Sequence, residues 1–172
     1  MNGIDLNDLF NRVRDGDKEA FTHIYHELKQ PVFTIICRIV QNRELAEDLT
    51  QDVFVKVFTS PPDCSVRNPR AWIFRIARNL AIDALRKTTC ADIDVLSMVS
   101  DDFSGNLVTR LDLEQAIAAL PRTEREILAL HLNGALGFFD IAHIVGLSVS
   151  ATYRKYRKAL KTLRNLLDGG TL

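Results

Sequence analysis

The sequence predicts an all-α protein of two small helical lobes joined by a flexible acidic linker, the second lobe being a helix-turn-helix domain. Apolar residues recur at helical spacing along most of the 172 residues, and no alternating strand pattern is sustained. A weakly periodic stretch rich in Ser and Asp, residues 88–109, separates residues 1–87 from residues 110–172. These ranges are the predicted linker, N-terminal lobe and C-terminal lobe.

Helix boundaries follow from the periodicity and from the residues that interrupt it. Pro31 suits the first turn of a helix, and Asn42 suits a break between two helices. Pro61, Pro62 and Pro69 bracket a loop that cannot be helical throughout. The expected helices span residues 5–14, 17–28, 31–41, 43–58, 68–87, 110–118, 122–133, 138–144 and 149–167.

Charge is distributed unevenly along a chain whose formal net charge is zero. Residues 1–60 carry a net charge of −3 and residues 61–90 a net charge of +4. Residues 91–120 carry −5 and residues 121–172 carry +4. The two basic blocks can bind a polyanion, whereas overall neutrality keeps non-specific affinity for nucleic acid low.

Several classes of protein are excluded by what the sequence lacks. No apolar run is long enough for a membrane-spanning helix, and the acidic N-terminus is unlike a secretory signal, so a cytoplasmic protein is expected. Cys37, Cys64 and Cys90 are odd in number and far apart, which indicates free thiols. For Cys64 and Cys90, an incidental cysteine is favoured over a redox role.

No catalytic, metal or cofactor site is predicted. The histidines form no metal-binding motif with cysteine or glutamate, and there is no phosphate-binding glycine loop or G-x-S-x-G sequence. His23 and His26 are three residues apart and could share a metal ion, but a solvated surface is the favoured interpretation. The sequence therefore indicates a protein that is not an enzyme.

The stretch FFDIAHIVGLSVSATYRKYRKALKTLR has helix-turn-helix spacing. Ala142 allows close helix approach, Gly146 permits the turn, and Ser148 is placed to cap the second helix. One side of that helix is basic and can enter the major groove of duplex DNA. It comprises Ser150, Arg154, Arg157, Lys158 and Lys161, opposite Val149, Thr152, Tyr156, Ala159, Leu160, Leu163 and Leu167. A solvated basic face is the alternative, but the supporting helix in LPRTEREILALHL favours DNA binding.

The stretch NPRAWIFRIARNLAIDALRK places an aromatic ring among cations on one side of a helix. Trp72, Arg75, Asn79 and Arg86 lie away from the apolar stripe. A ring beside cations and an amide suits a single strand or an unstacked base. Equally, Trp72 could pack under the preceding loop with the arginines solvated, so the residues alone leave both interpretations open.

The stretch RELAEDLTQDVFVKVF predicts an amphipathic helix with an acidic outer face. Asp48, Gln51 and Asp52 lie on that face with Glu47, and Phe54 and Phe58 lie at its edge. Acids beside aromatic rings repel DNA and can dock on a basic protein helix. Phe54 and Phe58 could instead widen the core stripe, which is the favoured interpretation for Phe58.

Taken together, these stretches resemble the extracytoplasmic-function (ECF) sigma factors of bacteria. The resemblance runs from GDKEAFTHIYHEL through AEDLTQDVFVKVF and NPRAWIFRIARNLAIDALRK to LPRTEREILALHLNG and the helix-turn-helix. It implies a factor that directs core RNA polymerase to promoter DNA. It also implies contacts with the clamp helices of the β′ subunit and with the β subunit, and it raises an anti-sigma factor as a further partner.

The resemblance also implies roles for individual residues. Residues 59–68 would form a pocket for a base flipped out of the −10 element, and the linker acids Asp92, Asp94, Asp101 and Asp102 would mimic nucleic acid. Polymerase binding is implied for Asp48, Gln51, Asp52 and Phe54; −10 element binding for Asn68, Trp72, Arg75, Asn79 and Arg86; and −35 element binding for Ser150, Ala151, Arg154, Arg157 and Lys158.

The recognition helix departs from the family pattern. The family has a Gly-Thr-Val-like triplet where this chain has Ser150, Ala151 and Thr152, and Tyr153 and Tyr156 crowd the same helix. The family's −35 specificity is therefore not carried over. The runner-up function is a polymerase-independent helix-turn-helix repressor or activator, although no heptad seam for a dimer is present. A helical protein that docks on polymerase without reading DNA is a third alternative, and the basic recognition face argues against it.

Overall fold

The computed structural model describes residues 5–63, 66–91 and 107–168, and within these ranges all regular structure is α-helical. The prediction of an all-α fold is confirmed. The helices are α1 (Leu6–Arg14), α2 (Lys18–Val40), α3 (Arg43–Thr59), α4 (Pro69–Ala91), α5 (Leu107–Ala118), α6 (Arg122–Leu132), α7 (Phe138–Val145) and α8 (Val149–Asp168).

Helix α2 runs unbroken from Lys18 to Val40, so the predicted break before Pro31 is wrong. Pro31 lies inside α2, where it cannot donate a hydrogen bond to the carbonyl of Glu27. The stripe of Leu28, Val32 and Ile35 is fully buried on both sides of the proline. Burial of that continuous stripe outweighs the loss of one backbone hydrogen bond, so the helix continues.

Side-chain caps fix the starts of the second and third helices. The Asp17 carboxylate accepts hydrogen bonds from the backbone N–H groups of Glu19 and Ala20 at 2.9 and 3.2 Å. Arg12 of α1 donates to the same carboxylate at 2.7 Å and thereby lowers the pKa of Asp17. Asn42 accepts from the N–H of Leu45 at 2.9 Å, which confirms its predicted place between two helices.

The helices bordering the predicted linker are longer than expected. Helix α4 continues to Ala91 and α5 begins at Leu107, so both extend into the 88–109 segment. Asp92, Asp94, Asp101, Asp102 and Cys64 lie outside the described residues, as does the side chain of Cys90. The interpretations placed on those side chains therefore stay predictions.

The two lobes pack against each other and share a hydrophobic core. Helix α6 packs on α2, and α7 packs on α4. The largest buried cluster combines Ile35 and Phe74 of the N-terminal lobe with Ile127, Leu130 and Ile141 of the C-terminal lobe. A smaller cluster lies within the C-terminal lobe and comprises Ala116, Leu120, Leu128, Ala159 and Leu163.

The middle of helix α6 is buried on all sides because it packs on α2 of the N-terminal lobe and on α7 and α8 of its own lobe. Every residue from 124 to 130 is buried, including two acids and an arginine. Arg125 donates to the carbonyl oxygens of Ala118 and Leu120 at 2.7 Å each and of Arg38 at 3.0 Å. Burial lowers the pKa of the Arg125 guanidinium, which still remains charged.

The turn after α6 leaves no room for a side chain at Gly134. A Cβ atom there would lie 2.5 Å from the carbonyl oxygen of Leu130, which is backbone and cannot move aside cheaply. Gly134→Ala is expected to lower the free energy of unfolding by about 2 kcal/mol, as overpacking typically does. Urea denaturation measures this change.

Gly137→Ala is the matched control, because a Cβ atom at that position meets nothing within 4 Å. It is expected to change the free energy of unfolding by less than about 1 kcal/mol. Equal losses for the two variants would contradict the steric explanation.

Candidate nucleic-acid and protein interfaces

Helix α3 presents the predicted acidic face to solvent. Asp48, Gln51 and Asp52 are exposed. Val55 is 60% exposed in the middle of the same face, which the sequence analysis did not single out. The surface is therefore acidic with an apolar centre, a combination suited to docking on a basic protein surface.

The two phenylalanines of α3 lie in the opposite of the environments predicted for them. Phe54 is only 3% exposed and packs edge-to-face on Tyr25, with ring centroids 4.9 Å apart. Its assignment to the docking surface is therefore corrected to a core position. Phe58, expected in the core, is 48% exposed and contacts the ring of Phe21 at 4.9 Å. The reason is that α3 packs against both α2 and α4, which widens its buried arc beyond one stripe.

Helix α4 carries the predicted aromatic and basic face. Arg75, Asn79 and Arg86 are exposed, and the Arg86 side chain is 80% exposed, with Asp83 4.0 Å away. Trp72 is half-buried and makes an edge-to-face contact with Phe10 at 6.3 Å. One portion of the indole therefore packs on α1, and not only under the preceding loop, while the rest faces solvent beside the cations. Binding of a strand by Trp72 stays a prediction.

Asn68 lies at the start of α4 and is engaged on both sides of its amide. Its Oδ1 accepts from the backbone N–H of Ala71 at 3.2 Å, which caps the helix. Its Nδ2 donates to Asp140 of α7 at 2.9 Å. Asn68 therefore differs from the other predicted −10 residues, because an acid of the C-terminal lobe already occupies its donor.

A cavity of about 200 Å³ lies between α1 and the loop that precedes α4. Phe10, Asn11 and Arg14 line one side, and Pro62 and Val66 line the other. Arg14 donates to the carbonyl of Pro62 at 3.1 Å and so fixes the loop against α1. The part α1 plays in shaping this loop was not predicted, because nothing in the sequence pairs the two segments.

The helix-turn-helix forms as the sequence predicts. Gly146 ends α7 with a φ of +73°, and its N–H and that of Leu147 both bond to the Ala142 carbonyl, at 2.9 and 3.0 Å. Ser148 Oγ then accepts from the N–H of Ala151 at 3.2 Å, which starts α8. These local bonds set the angle at which α8 leaves the turn.

The outer face of α8 is basic at the predicted positions. Ser150, Arg154 and Arg157 are exposed, and Ala151 is half-buried. Lys158 is exposed as well, but its ammonium lies 3.3 Å from Glu124, a buried carboxylate of α6. The other carboxylate oxygen, Oε2, has no hydrogen-bond partner among the residues that the structure describes. Lys158 therefore also ties α8 to α6, a role that its place on the basic side did not indicate.

An aromatic cluster supports α8 from beneath. The His131 ring stacks on Phe138 with centroids 4.7 Å apart, and Tyr156 packs edge-on against both rings. Tyr153 contacts the Phe138 ring at 5.2 Å and stays 45% exposed. The two tyrosines therefore belong chiefly to the packing of α8 on α7.

The described residues form neither a metal-binding cluster nor a membrane-spanning helix. There, no three His, Cys, Asp or Glu side chains converge as a metal site would require. His23 and His26 are both exposed on α2. Within the same ranges, no helix combines the length and apolar character needed to cross a bilayer.

Comparison with known proteins identifies the family. A model of sigma-70 region 2 matches residues 24–89, and a model of sigma-70, region 4 matches residues 110–163. The ECF RNA polymerase sigma factor SigK of Mycobacterium tuberculosis is 26% identical over 176 residues, covering 95% of this chain and 94% of the relative. SigW of Bacillus subtilis, also an ECF RNA polymerase sigma factor, is 25% identical over 174 residues, covering 91% and 93%. This chain belongs to the extracytoplasmic-function sigma factors.

Two solved structures share the fold of this sigma factor. One is the sigma factor RpoE in complex with the anti-sigma factor NepR from Bartonella quintana, with a TM-score of 0.71 and 20% identity over 86% of this chain and 96% of that chain. The other is CnrH in complex with the cytosolic domain of CnrY, with a TM-score of 0.69 and 23% identity over 95% and 97%. Family membership assigns this sigma factor to transcription initiation by RNA polymerase, as a regulatory transcription factor.

Proposed function

We propose that this sigma factor docks on core RNA polymerase through α3, opens the −10 element with α4 and binds the −35 element as duplex through α8. One observation carries the proposal. The exposed acids of α3 and the exposed cations of α4 and α8 occupy three separate surfaces of one chain. Each surface matches the chemistry of a different partner, namely a basic protein helix, an unpaired strand and a duplex.

The polymerase surface comprises Asp48, Gln51 and Asp52 with the apolar Val55 at its centre. Acids at its rim favour a basic partner and repel DNA, while burial of Val55 adds affinity. The clamp helices of the β′ subunit are the proposed partner of α3. Contacts with the β subunit are proposed for the C-terminal lobe.

The −10 surface comprises the free face of Trp72 with Arg75, Asn79 and Arg86. Flipping a base out of the duplex costs a few kcal/mol, and stacking on an aromatic ring returns about 1–3 kcal/mol per base. Trp72 supports the upstream edge of the opened region, while Arg75, Asn79 and Arg86 contact strand or base. The loop before α4 receives the flipped base.

The −35 surface comprises the exposed side chains at the N-terminal half of α8. Ser150 and Arg154 lie where base edges are read, and Arg157 and Lys158 follow one turn later for phosphate contacts. The Ser148 cap and the aromatic cluster hold α8 at a fixed angle, so these side chains enter the major groove together.

An anti-sigma factor is proposed as a further partner. The structural neighbour RpoE was solved in complex with the anti-sigma factor NepR, and this chain exposes apolar side chains on both lobes. Phe58 and Phe139 are 48% and 51% exposed. The factor is proposed to act in the cytoplasm, without catalytic activity or cofactor of its own.

Run-off transcription with purified core RNA polymerase, with and without this sigma factor, tests the function on fragments of the source genome. Discrete new start sites are expected, and the DNA upstream of them should share two sequence elements. Absence of such transcripts, together with tight duplex binding by the chain alone, would instead identify a polymerase-independent helix-turn-helix regulator.

A further inference from the structure

Helix α1 contacts two separate parts of the proposed −10 surface. The Arg14 guanidinium donates to the carbonyl oxygen of Pro62 at 3.1 Å, which joins α1 to the loop before α4 across 48 positions of sequence. Phe10 meets the Trp72 ring edge-to-face, with ring centroids 6.3 Å apart. One short helix therefore supports both the loop and the aromatic ring for which base binding is proposed.

Helix α1 is itself held firmly in the N-terminal lobe. Its apolar side chains Leu9, Phe10 and Val13 are buried, and the helix packs on α2 and α4. The Asp5 carboxylate accepts a hydrogen bond from the N–H of Asn7 at 2.9 Å and so caps the start of the helix. Because buried side chains are close-packed in defined rotamers, contacts made by α1 fix the position of whatever rests on it.

Arg14 is placed to hold the backbone of the loop rather than to bind a phosphate. Its side chain is half-buried, and the residue that it contacts, Pro62, is buried. Its second guanidinium nitrogen donates to the side chain of Asn11 on the same helix, which orients the guanidinium toward the loop. A hydrogen bond from a charged donor is stronger than one between neutral groups, so this single contact is an effective attachment.

The precision that base recognition requires has to come from outside the loop. A binding site must be held to within about 0.5 Å of its productive geometry by the side chains that support it. A displacement of about 1 Å, caused by a residue that touches no substrate, can cost about a hundredfold in function. A connecting loop is more mobile than the helices around it, so its geometry depends on neighbours such as Arg14.

We infer that α1 is the supporting helix of the −10 surface, in which Arg14 positions the loop that receives the flipped base and Phe10 positions Trp72. This inference rests on the proposed function, which gives the loop and Trp72 their part in opening the −10 element. Neither supporting side chain needs to contact DNA. Loss of Arg14 should therefore lower the discrimination between bases, while the electrostatic attraction of the protein to the DNA backbone stays unchanged.

Base discrimination by the complex with core RNA polymerase tests the role of Arg14. The complex is bound to labelled, partly single-stranded fork DNA from a promoter that the run-off assay identifies, and each base of the −10 element is replaced in turn. The ratio of affinities for the native and the replaced base gives the discrimination at each position. Arg14→Ala is expected to lower the largest of these ratios by about tenfold. The slope of log affinity against log salt should stay the same, because no phosphate contact is lost.

Two further variants separate positioning from charge and from stability. Arg12→Ala removes an arginine of the same helix whose partner is Asp17, and it should keep the full ratio. Arg14→Lys keeps a cationic donor and should restore most of the discrimination. Binding of −35 duplex should be equal for all of these variants, whereas a general loss of stability would weaken both kinds of DNA binding alike.

The contact between Phe10 and Trp72 is tested on the purified chain, without polymerase or DNA. Trp72 is the only tryptophan in the sequence, so intrinsic fluorescence reports on this side chain alone. Phe10→Leu removes the ring against which the indole packs and should increase quenching of the fluorescence by acrylamide. Phe21→Leu is the matched control, because Phe21 contacts Tyr25 and Phe58, and it should leave quenching unchanged.

Full discrimination by Arg14→Ala, or unchanged quenching in Phe10→Leu, would overturn the inference, provided that far-UV circular dichroism shows the helix content intact. If Phe10→Leu lost helix content, Phe10→Met would take its place. A complex of the unmodified chain that discriminates at no position would refute the proposed opening of the −10 element, and the role of Arg14 with it. Quenching is measured without DNA, so failure of the support by α1 can be told apart from failure of the proposed function.

Discussion

Replacement of Asp48 and Asp52 by lysine is expected to abolish association of this sigma factor with core RNA polymerase. The two substitutions change the charge of the α3 face by four units and set cations against a partner surface that is proposed to be basic. Both side chains are exposed and α3 packs through its opposite side, so the helix content should not change. Gel filtration of the variant with core polymerase measures the loss as disappearance of the co-eluting complex.

The matched control makes the same change of charge elsewhere. Asp8 and Asp15 are exposed acids of the α1 region, away from α3. The variant Asp8→Lys with Asp15→Lys should still co-elute with polymerase. If the α3 variant co-elutes equally well, the docking surface has been assigned to the wrong face.

Replacement of Arg154 and Arg157 by alanine is expected to weaken binding of −35 duplex by about 5- to 150-fold per arginine, equivalent to about 1–3 kcal/mol each. Neither side chain supports the core, since both are exposed on α8. Each phosphate contact that is lost should also reduce the slope of log affinity against log salt by about one unit. Fluorescence anisotropy over a salt series measures both quantities on the same duplex.

Two exposed cations of α3, Arg43 and Lys56, provide the comparison for that experiment. Arg43→Ala with Lys56→Ala removes the same charge from the chain but none from α8, so affinity and slope should stay close to those of the unmodified protein. If the α8 variant also kept its affinity and its salt slope, the basic side of α8 would not be the duplex-binding surface.

Local signals in the sequence account for the elements that were predicted correctly. Gly146, Ser148 and Asn42 act within a few residues of their own positions, through a left-handed turn or a cap. Their effect depends little on the rest of the fold, so sequence alone suffices. The same holds for the exposed faces of α4 and α8, where polar residues recur on one side of a helix.

Predictions that depended on neighbouring helices were less reliable. The α3 pattern defined one apolar stripe, whereas two helices pack on α3 and draw Phe54 into the core while Phe58 stays exposed. Pro31 predicted a helix start, but burial of the stripe that crosses it carries the helix onward. In both cases the deciding interaction comes from residues distant in the sequence, which periodicity cannot reveal.

The packing of one lobe on the other was also beyond the sequence pattern. Arg78 and Glu126 are 48 residues apart, and each is a charged residue of the kind that ordinarily faces solvent on a helix. The unbroken burial of residues 124–130 would have been the signal, but their charged members conceal it in the sequence. An interface formed by paired charged residues therefore cannot be told from a solvent-exposed surface by its amino-acid composition.

The packing of α6 on α2 has a consequence for the solubility of this protein. If the lobes were separated, the faces of α6 and α2 that pack together would become exposed apolar surface, of the kind that promotes self-association. The packing of the two lobes on each other therefore helps to keep the chain dispersed in solution. Fragments cut between residues 92 and 106 would lose that protection and be prone to precipitate.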